Sequence, residues 1–335
     1  MIILITGASG FVGEHLLAHL APRRWELRLT RRGGIAKAPP EDGATTCPVT
    51  GDLRDIQADQ AQWMSALEGA SVVIHLAAVA HVAAEGKQTT ELIHKVNAEA
   101  PHTLARFAAK AGVRRFIFLS SVKALGERTA PGRPFDELSQ PAPEDSYGRA
   151  KLEAESFIHR VGAETGMETV IVRPPLVYGQ NVGMNMAALI NAVKKRAPLP
   201  FASVANQRSL VYAGNLASAI VECVENNAAA GQTFMVSDGA DLSTPELVRA
   251  IGRAMNVAPR LIPAPLWALR AAGLAGDALG HIPGFRAPVN SGMIRRLTES
   301  LAVNSGKIRR TLGWKPPYSL EEGLRQTVAG FTTER

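Results

Sequence analysis

The feature that most restricts this chain is TGASGFVG, Thr6 to Gly13. It follows the apolar run MIILI without a break and opens the apolar-periodic stretch VGEHLLAHL. Glycines at 7, 10 and 13 do separate jobs in such a setting. Gly7 makes a tight turn, Gly10 lets backbone approach a pyrophosphate, and Gly13 lets the helix pack closely on its strand. The helix N-terminus then offers N–H groups and a positive dipole end to the phosphates. A glycine-rich turn that binds nothing is the alternative, and the strand and helix on either side argue against it. The expectation is a βαβ dinucleotide-binding unit.

Periodicity extends that unit into a sheet. WELRLT, SVVIHLAA, RRFIFLSS and ETVIVRPP read as strands, separated by stretches with apolar residues at 3.6-residue spacing. That rhythm predicts a parallel sheet with helices on both faces. From about residue 180 proline and glycine become denser and helical stretches such as MNMAALINAVKKR and TPELVRAIGRAM dominate, while QTFMVSDG at 232 to 239 reads as one return to the sheet. The expected fold is therefore α/β: a Rossmann-type doubly wound parallel sheet over 1–178, with return segments near 208–239, and a smaller, mostly helical substrate domain over 179–335.

Composition narrows the partners. The 335 residues carry a formal charge of +7, but the cations lie in twos and threes with little aromatic interleaving, so nucleic acid is not expected. Scattered cations do suit a small anionic ligand. Cys47 and Cys223 stand outside any metal or disulfide spacing, so no metal is expected and a cytoplasmic location is. The first apolar run lacks a basic leader region and a small-residue cleavage site. LIPAPLWALRAAGLAGDALG at 261 to 280 is broken by two prolines, Arg270 and Asp277, which makes it a poor membrane span, and no membrane partner is expected.

The end of the second strand bears on which dinucleotide binds. A carboxylate there bonds a ribose 2′-hydroxyl, but this chain has Thr30 followed by Arg31 and Arg32. Guanidinium groups bind a 2′-phosphate bidentately, so within NAD(P) the reading favours NADP(H) over NAD(H), unless both arginines are merely solvated. GDLRD sets Asp52 and Leu53 after a third strand, placed to hold adenine, although a plain polar turn would look the same.

Tyr147 and Lys151 in SYGRAK lie four apart, on one face of any helix beginning there. An ammonium beside a phenol, helped by a positive nicotinamide ring, favours the phenolate and is expected to draw its pKa down from about 10, fitting Tyr147 for general-base work. FIFLSSVKALGE ends an apolar strand in Ser120 and Ser121, at the carboxyl edge where such sheets bind ligands.

TGxxGxxG, a strand-end serine and a later YxxxK together resemble the extended short-chain dehydrogenase/reductase family, and within it the NAD-dependent nucleotide-sugar epimerase/dehydratase branch. RPPLVYG at 173 to 179, QRSLVYAGNLA at 207 to 217 and LGWKPP at 312 to 317 extend the likeness over nearly the whole chain. The resemblance implies Ser121 as the catalytic hydroxyl, with Ser120 the lesser candidate, Tyr147 as acid/base and Lys151 as ribose-binding helper. It implies a cofactor lining of Gly7, Ser9, Gly10, Phe11, Val12, Gly13, Arg31, Arg32, Asp52, Leu53, Leu76, Ala77, Ala78, Tyr147, Lys151 and Pro174. Asn97 matches an asparagine behind the site, or is a buried helix residue with a backbone partner. Arg208 matches an arginine to the nucleotide diphosphate, with Arg295 or Arg296 a second; in the substrate set we place Arg208, Arg296 and Lys123. The family also implies a homodimer through two helices of the nucleotide domain, one of them beginning near Tyr147.

Departures from the family pattern sort the reactions. Dehydratases of the branch carry Asp-Glu after the catalytic hydroxyl residue and the decarboxylases carry Glu two positions after it, whereas this chain has Val122 and Lys123. Water elimination needs a further acid and base that these side chains do not supply. What remains is hydride transfer at C4 of a UDP-hexose, as in the UDP-hexose 4-epimerases and UDP-4-keto-sugar reductases of surface-polysaccharide pathways, with the arginines tilting toward an NADPH-consuming reductase. Two other readings stay open: a non-catalytic NADP-binding redox sensor, which the Ser121, Tyr147 and Lys151 set argues against, and a reductase of a small non-nucleotide carbonyl, which would have no use for Arg208.

Overall fold

The computed structural model describes residues 1–31, 46–50, 52–79, 87–280 and 289–332. The first half builds β1 (Ile2–Thr6), α1 (Phe11–Leu20), β2 (Glu26–Arg31), β3 (Thr46–Thr50), α2 (Gln60–Leu67), β4 (Val72–His75), α3 (Lys87–His94), α4 (Ala100–Lys110), β5 (Arg115–Leu119), α5 (Ser146–Thr165) and β6 (Glu168–Arg173). Then follow β7 (Leu176–Tyr178), α6 (Met184–Lys194), β8 (Arg208–Tyr212), α7 (Ala213–Glu225), β9 (Thr233–Met235), β10 (Asp241–Leu242), α8 (Thr244–Met255), α9 (Leu266–Gly280), α10 (Ser291–Thr298), α11 (Gly306–Leu312) and α12 (Leu320–Thr332).

Seven strands form one parallel sheet in the order β3-β2-β1-β4-β5-β6-β9. Strands covered on both faces need no polar alternation, and all four residues of β4 are buried accordingly. One face packs Leu16 and Leu20 of α1 with Leu216, Ile220 and Val224 of α7 and Ile308 of α11. The other packs Trp63 of α2, Leu104 and Phe107 of α4, and Ala154, Ile158 and Val161 of α5. The doubly wound α/β sheet is the one expected from the glycine motif and the alternating pattern. The strand order reverses between β1 and β4, so a crevice opens at their carboxyl ends.

Beyond Arg173 the chain is mostly helical, as expected, with the short strands β7 to β10 set among the helices. β9 joins the main sheet beside β6, the single return read from QTFMVSDG. β8 does not: it pairs parallel with β7 and antiparallel with β10 in a separate three-stranded sheet. Strands of two to five residues, read one at a time, are too short for their periodicity to distinguish them from loop. Tyr178, Tyr212, Met186, Ile190, Val248, Ile251, Leu269, Ile294 and Leu324 form the core between this small sheet and the C-terminal helices.

Arg115 ties the main sheet to α7. Its side chain is fully buried, Nε donating to Glu168 at 2.6 Å and Nη1 to the carbonyls of Cys223, Val224 and Asn226 at 2.6, 3.1 and 2.9 Å. A guanidinium therefore closes the C-terminal end of a helix whose carbonyls would otherwise be left without partners. Arg115→Ala is expected to lower unfolding stability by about 3 kcal/mol, measured by urea denaturation.

Candidate active site

The crevice is lined first by the glycine turn. Gly7 has φ +75°, and a Cβ there would stand 2.6 Å from the Ala77 nitrogen, so the turn after β1 lies directly against the loop after β4. A Cβ on Gly13 would meet the carbonyls of Ala8 and Gly7 at 2.5 Å, the close helix contact expected of the third glycine. Gly10 begins α1 in extended conformation without a side-chain cap, and Ser9 and Gly10 are exposed. The first turn of α1 thus starts uncapped at an exposed edge, and its N–H groups suit a pyrophosphate. Phe11 and Val12 turn inward onto the two neighbouring cores.

Leu76, Ala77 and Ala78 continue β4 along the same edge, the Leu76 and Ala77 amides donating to the Thr6 carbonyl at 3.0 Å and to Thr6 Oγ1 at 3.4 Å. Asn97 holds the next residue: its side chain accepts from the Val79 amide at 2.8 Å and donates to the Val79 carbonyl at 2.9 Å. It is fully buried in a π-helical turn, Lys95–Glu99, as a buried helix residue with a backbone partner. Asp52 caps the turn Leu53–Asp55 and pairs with Arg54, while Leu53 packs on the core beside α2. Arg31 closes β2. Arg32 and the side chain of Arg31 lie outside the described residues.

The second half of the site is the junction of β5, β6 and α5. Asp145 caps α5 by accepting from the Gly148 amide at 2.7 Å, and Gly148 packs so tightly that a Cβ would meet the Lys123 carbonyl at 2.3 Å. The start of α5 is thereby set against the turn that follows Ser121, and the Tyr147 ring packs against Ile93, Ala98 and Ala150. Lys151, one helical turn on, is buried with Nζ donating to the Leu119 carbonyl at 2.8 Å and lying 4.4 Å from the Phe118 ring centre and 5.8 Å from that of Tyr147. The Val122 amide donates to the Pro174 carbonyl at 2.9 Å, which joins the ends of β5 and β6.

The two serines part company here. Ser120 is buried and its hydroxyl donates to Glu155, whose carboxylate also accepts from Arg173 Nε at 2.9 Å. Ser121 Oγ accepts the Lys123 amide at 3.2 Å and keeps its own proton to donate. Sequence reasoning missed Glu155 and Arg173. The signal was a glutamate four residues beyond Lys151, on the face of α5 that also carries Ala154 and Ile158.

Electrostatics differ from the sequence expectation in one respect. With protein groups alone, the Tyr147 phenol is pushed up, first by burial and then by the Asp145 carboxylate, rather than drawn down. Lys151 is itself buried, which lowers it to about 7 against the opposing pull of Glu155. Lys123 is held between Glu127 and Asp145, each at 2.6 Å; burial would lower its pKa, but these bonds leave it raised. Arg208, on β8, donates to the Glu299 carbonyl at 3.1 Å, and burial with repulsion from Arg296 lowers its pKa. The structure thus brings Arg208 and the exposed Arg296 of α10 together from residues 88 positions apart.

Residues 3–237 match the NAD dependent epimerase/dehydratase family. Over 332 residues the chain is 38% identical to the UDP-glucose 4-epimerase of Vibrio cholerae, covering 98% of this chain and 95% of that one. It is 27% identical over 332 residues to the N-acetyl-alpha-D-glucosaminyl-diphospho-ditrans,octacis-undecaprenol 4-epimerase of Escherichia coli O157:H7, covering 97% and 94%. Its fold matches that of the Thermus thermophilus UDP-glucose 4-epimerase in complex with NAD at TM-score 0.73, with 23% identity and all of both chains covered. The chain belongs to the NAD dependent epimerase/dehydratase family and is an enzyme of that family.

His75, at the end of β4, is fully buried between Thr6, whose Oγ1 lies 2.8 Å from Nδ1, and the rings of Phe116 and Phe118. Burial, with Lys151 nearby, drives its pKa down to about 3. Because the folded value is depressed, its contribution is present above pH 6.5 and is lost as pH falls toward 3. Stability should drop by about 2 kcal/mol between pH 7 and 5 from this group, and His75→Gln should remove that part of the slope in urea titrations.

Proposed function

We propose that the chain is a UDP-sugar 4-epimerase in which Tyr147 moves the proton of the C4 hydroxyl, Ser121 holds the C4 oxygen, and Lys151 binds the ribose of the dinucleotide. When bound, the NAD(P) supplies the acceptor and donor of hydride at C4. The positive nicotinamide ring of the bound oxidised dinucleotide would offset the burial that raises Tyr147, so that Tyr147 Oη would take the hydroxyl proton as hydride leaves C4 and, after the 4-keto sugar turns over, give it back when hydride returns to the other face. No net oxidation results. Arg208 and Arg296 hold the diphosphate, and a homodimer through α4 and α5 is the proposed assembly.

The observation that carries this reading is the neighbourhood of Ser121. Val122 is buried and the Lys123 ammonium is neutralised by Asp145 and Glu127, so the positions that would serve a dehydration offer no free acid or base to a sugar. The 38% identity to a UDP-glucose 4-epimerase supports the same choice. Incubated with UDP-glucose or UDP-N-acetylglucosamine, the protein should form the galacto isomer, resolved by chromatography. Tyr147→Phe should lower kcat by about 10²- to 10⁴-fold with dinucleotide affinity nearly unchanged. Absence of any isomer with either sugar would exclude the epimerase reading for these substrates.

A second reading, an NADPH-dependent UDP-4-keto-sugar reductase, is favoured by Arg31 and Arg32 where a carboxylate would select NAD. The double change Arg31→Ala and Arg32→Ala should then weaken NADPH binding by roughly tenfold or more while sparing NADH, as read by calorimetry. Equal losses for both dinucleotides would remove the basis for this reading.

A further inference from the structure

Much of the apolar tract 261 to 280 stays outside the core that takes Leu269. Its helical part, α9, turns the usual surface arrangement round. Leu269, Gly273 and Gly276 are its buried residues, and the glycines bring its backbone against the segment that leads into α10: a Cβ on Gly276 would meet the Val289 carbonyl at 1.8 Å and one on Gly273 would meet Ser291 at 3.0 Å. A surface helix held by such a stripe normally places charge on the opposite side. Here the opposite side carries Trp267, Ala271, Leu274 and Ala278 at spacings of four, three and four, all exposed, with Trp267 at 73% and Leu274 at 66%. Ile262, Leu266 and Leu279 add exposed apolar surface at its ends. A continuous patch of this kind on a helix roughly 22 Å long calls for a partner.

Charge indicates which one. Arg260 before the helix, Arg270 on its flank, and Arg295 on the adjoining α10 are exposed. The single acid within α9, Asp277, accepts the Ser291 amide at 3.2 Å and so faces α10. A second copy of this chain seated on α9 would bring one set of arginines toward another. An anionic lipid surface opposes them with negative charge and takes up tryptophan and leucine at its headgroup boundary, which is how an interfacial helix binds. Among the described residues no helix is long and apolar enough to cross a membrane, so α9 would lie along the surface rather than span it.

We propose that the Trp267, Ala271, Leu274 and Ala278 face of α9, flanked by Arg260, Arg270 and Arg295, docks this protein on the surface of an anionic phospholipid bilayer. The sequence expectation of no membrane partner weighed only a spanning segment, and docking along a surface is a separate proposal. The test is co-sedimentation of the full chain with vesicles of phosphatidylcholine alone and of equal parts phosphatidylcholine and phosphatidylglycerol, at low and high salt. The protein should pellet with the mixed vesicles, less so at high salt, and little with phosphatidylcholine. The double change Trp267→Ser and Leu274→Ser should lower the apparent affinity by roughly tenfold or more, with circular dichroism melts showing that the fold is kept. Arg270→Glu supplies an independent measure should the apolar pair fail to fold, and should weaken binding to the mixed vesicles alone. Failure to pellet, pelleting that ignores these substitutions, or a sedimentation-velocity dimer that the double change dissociates while vesicles bind nothing would each overturn the proposal.

Discussion

Everything at the candidate site depends on a backbone contact too close for a side chain. The turn after β1 touches the loop after β4 at Gly7, where a Cβ would meet Ala77 at 2.6 Å and where φ is positive, a conformation glycine adopts without strain. That contact lies where the strand order reverses. It lets α1 start uncapped at the sheet edge, and it lines up Leu76, Ala77 and Ala78 beside it. Thr6 sits under the same contact, close to His75 and bonded to the Leu76 and Ala77 amides, so the strand that carries the glycine motif also positions its neighbour.

The other half of the crevice is held by buried charge. Glu155 and Arg173 form an ion pair almost without exposure, and Ser120 gives its hydroxyl to the same carboxylate. Such a pair stabilises little by itself, since removing two charges from water offsets most of their attraction, but it is unforgiving of displacement. It joins the ends of β5 and β6 to α5, and so sets Lys151 and Tyr147 in relation to Ser121. The same burial that orders these groups lowers Lys151 and raises Tyr147.

Much of this was legible in the sequence, for identifiable reasons. A strand flowing into TGASGFVG, and apolar runs alternating with helical periodicity, are local patterns, and the seven-stranded parallel sheet follows from them. The four-residue spacing of Tyr147 and Lys151 is likewise local to one helix. The three-stranded sheet of β7, β8 and β10 was not legible, because strands this short acquire their identity only by pairing. Nor was the assignment of Ser120 to a structural network, since Glu155 and Arg173 reach it from other elements.

Local order along the chain was therefore enough to specify the parallel sheet, the glycine turn and the face of α5 that bears Tyr147 and Lys151, because each is set by residues within a few positions of one another. Folding alone decided that Lys123 is spent on Asp145 and Glu127, that Arg208 meets Arg296, that burial lowers Lys151 to about 7, and that α9 keeps an apolar face outward. Those outcomes depend on burial and on partners far apart in sequence. Desolvation and long-range pairing are properties of packed neighbours, which no spacing along the chain encodes.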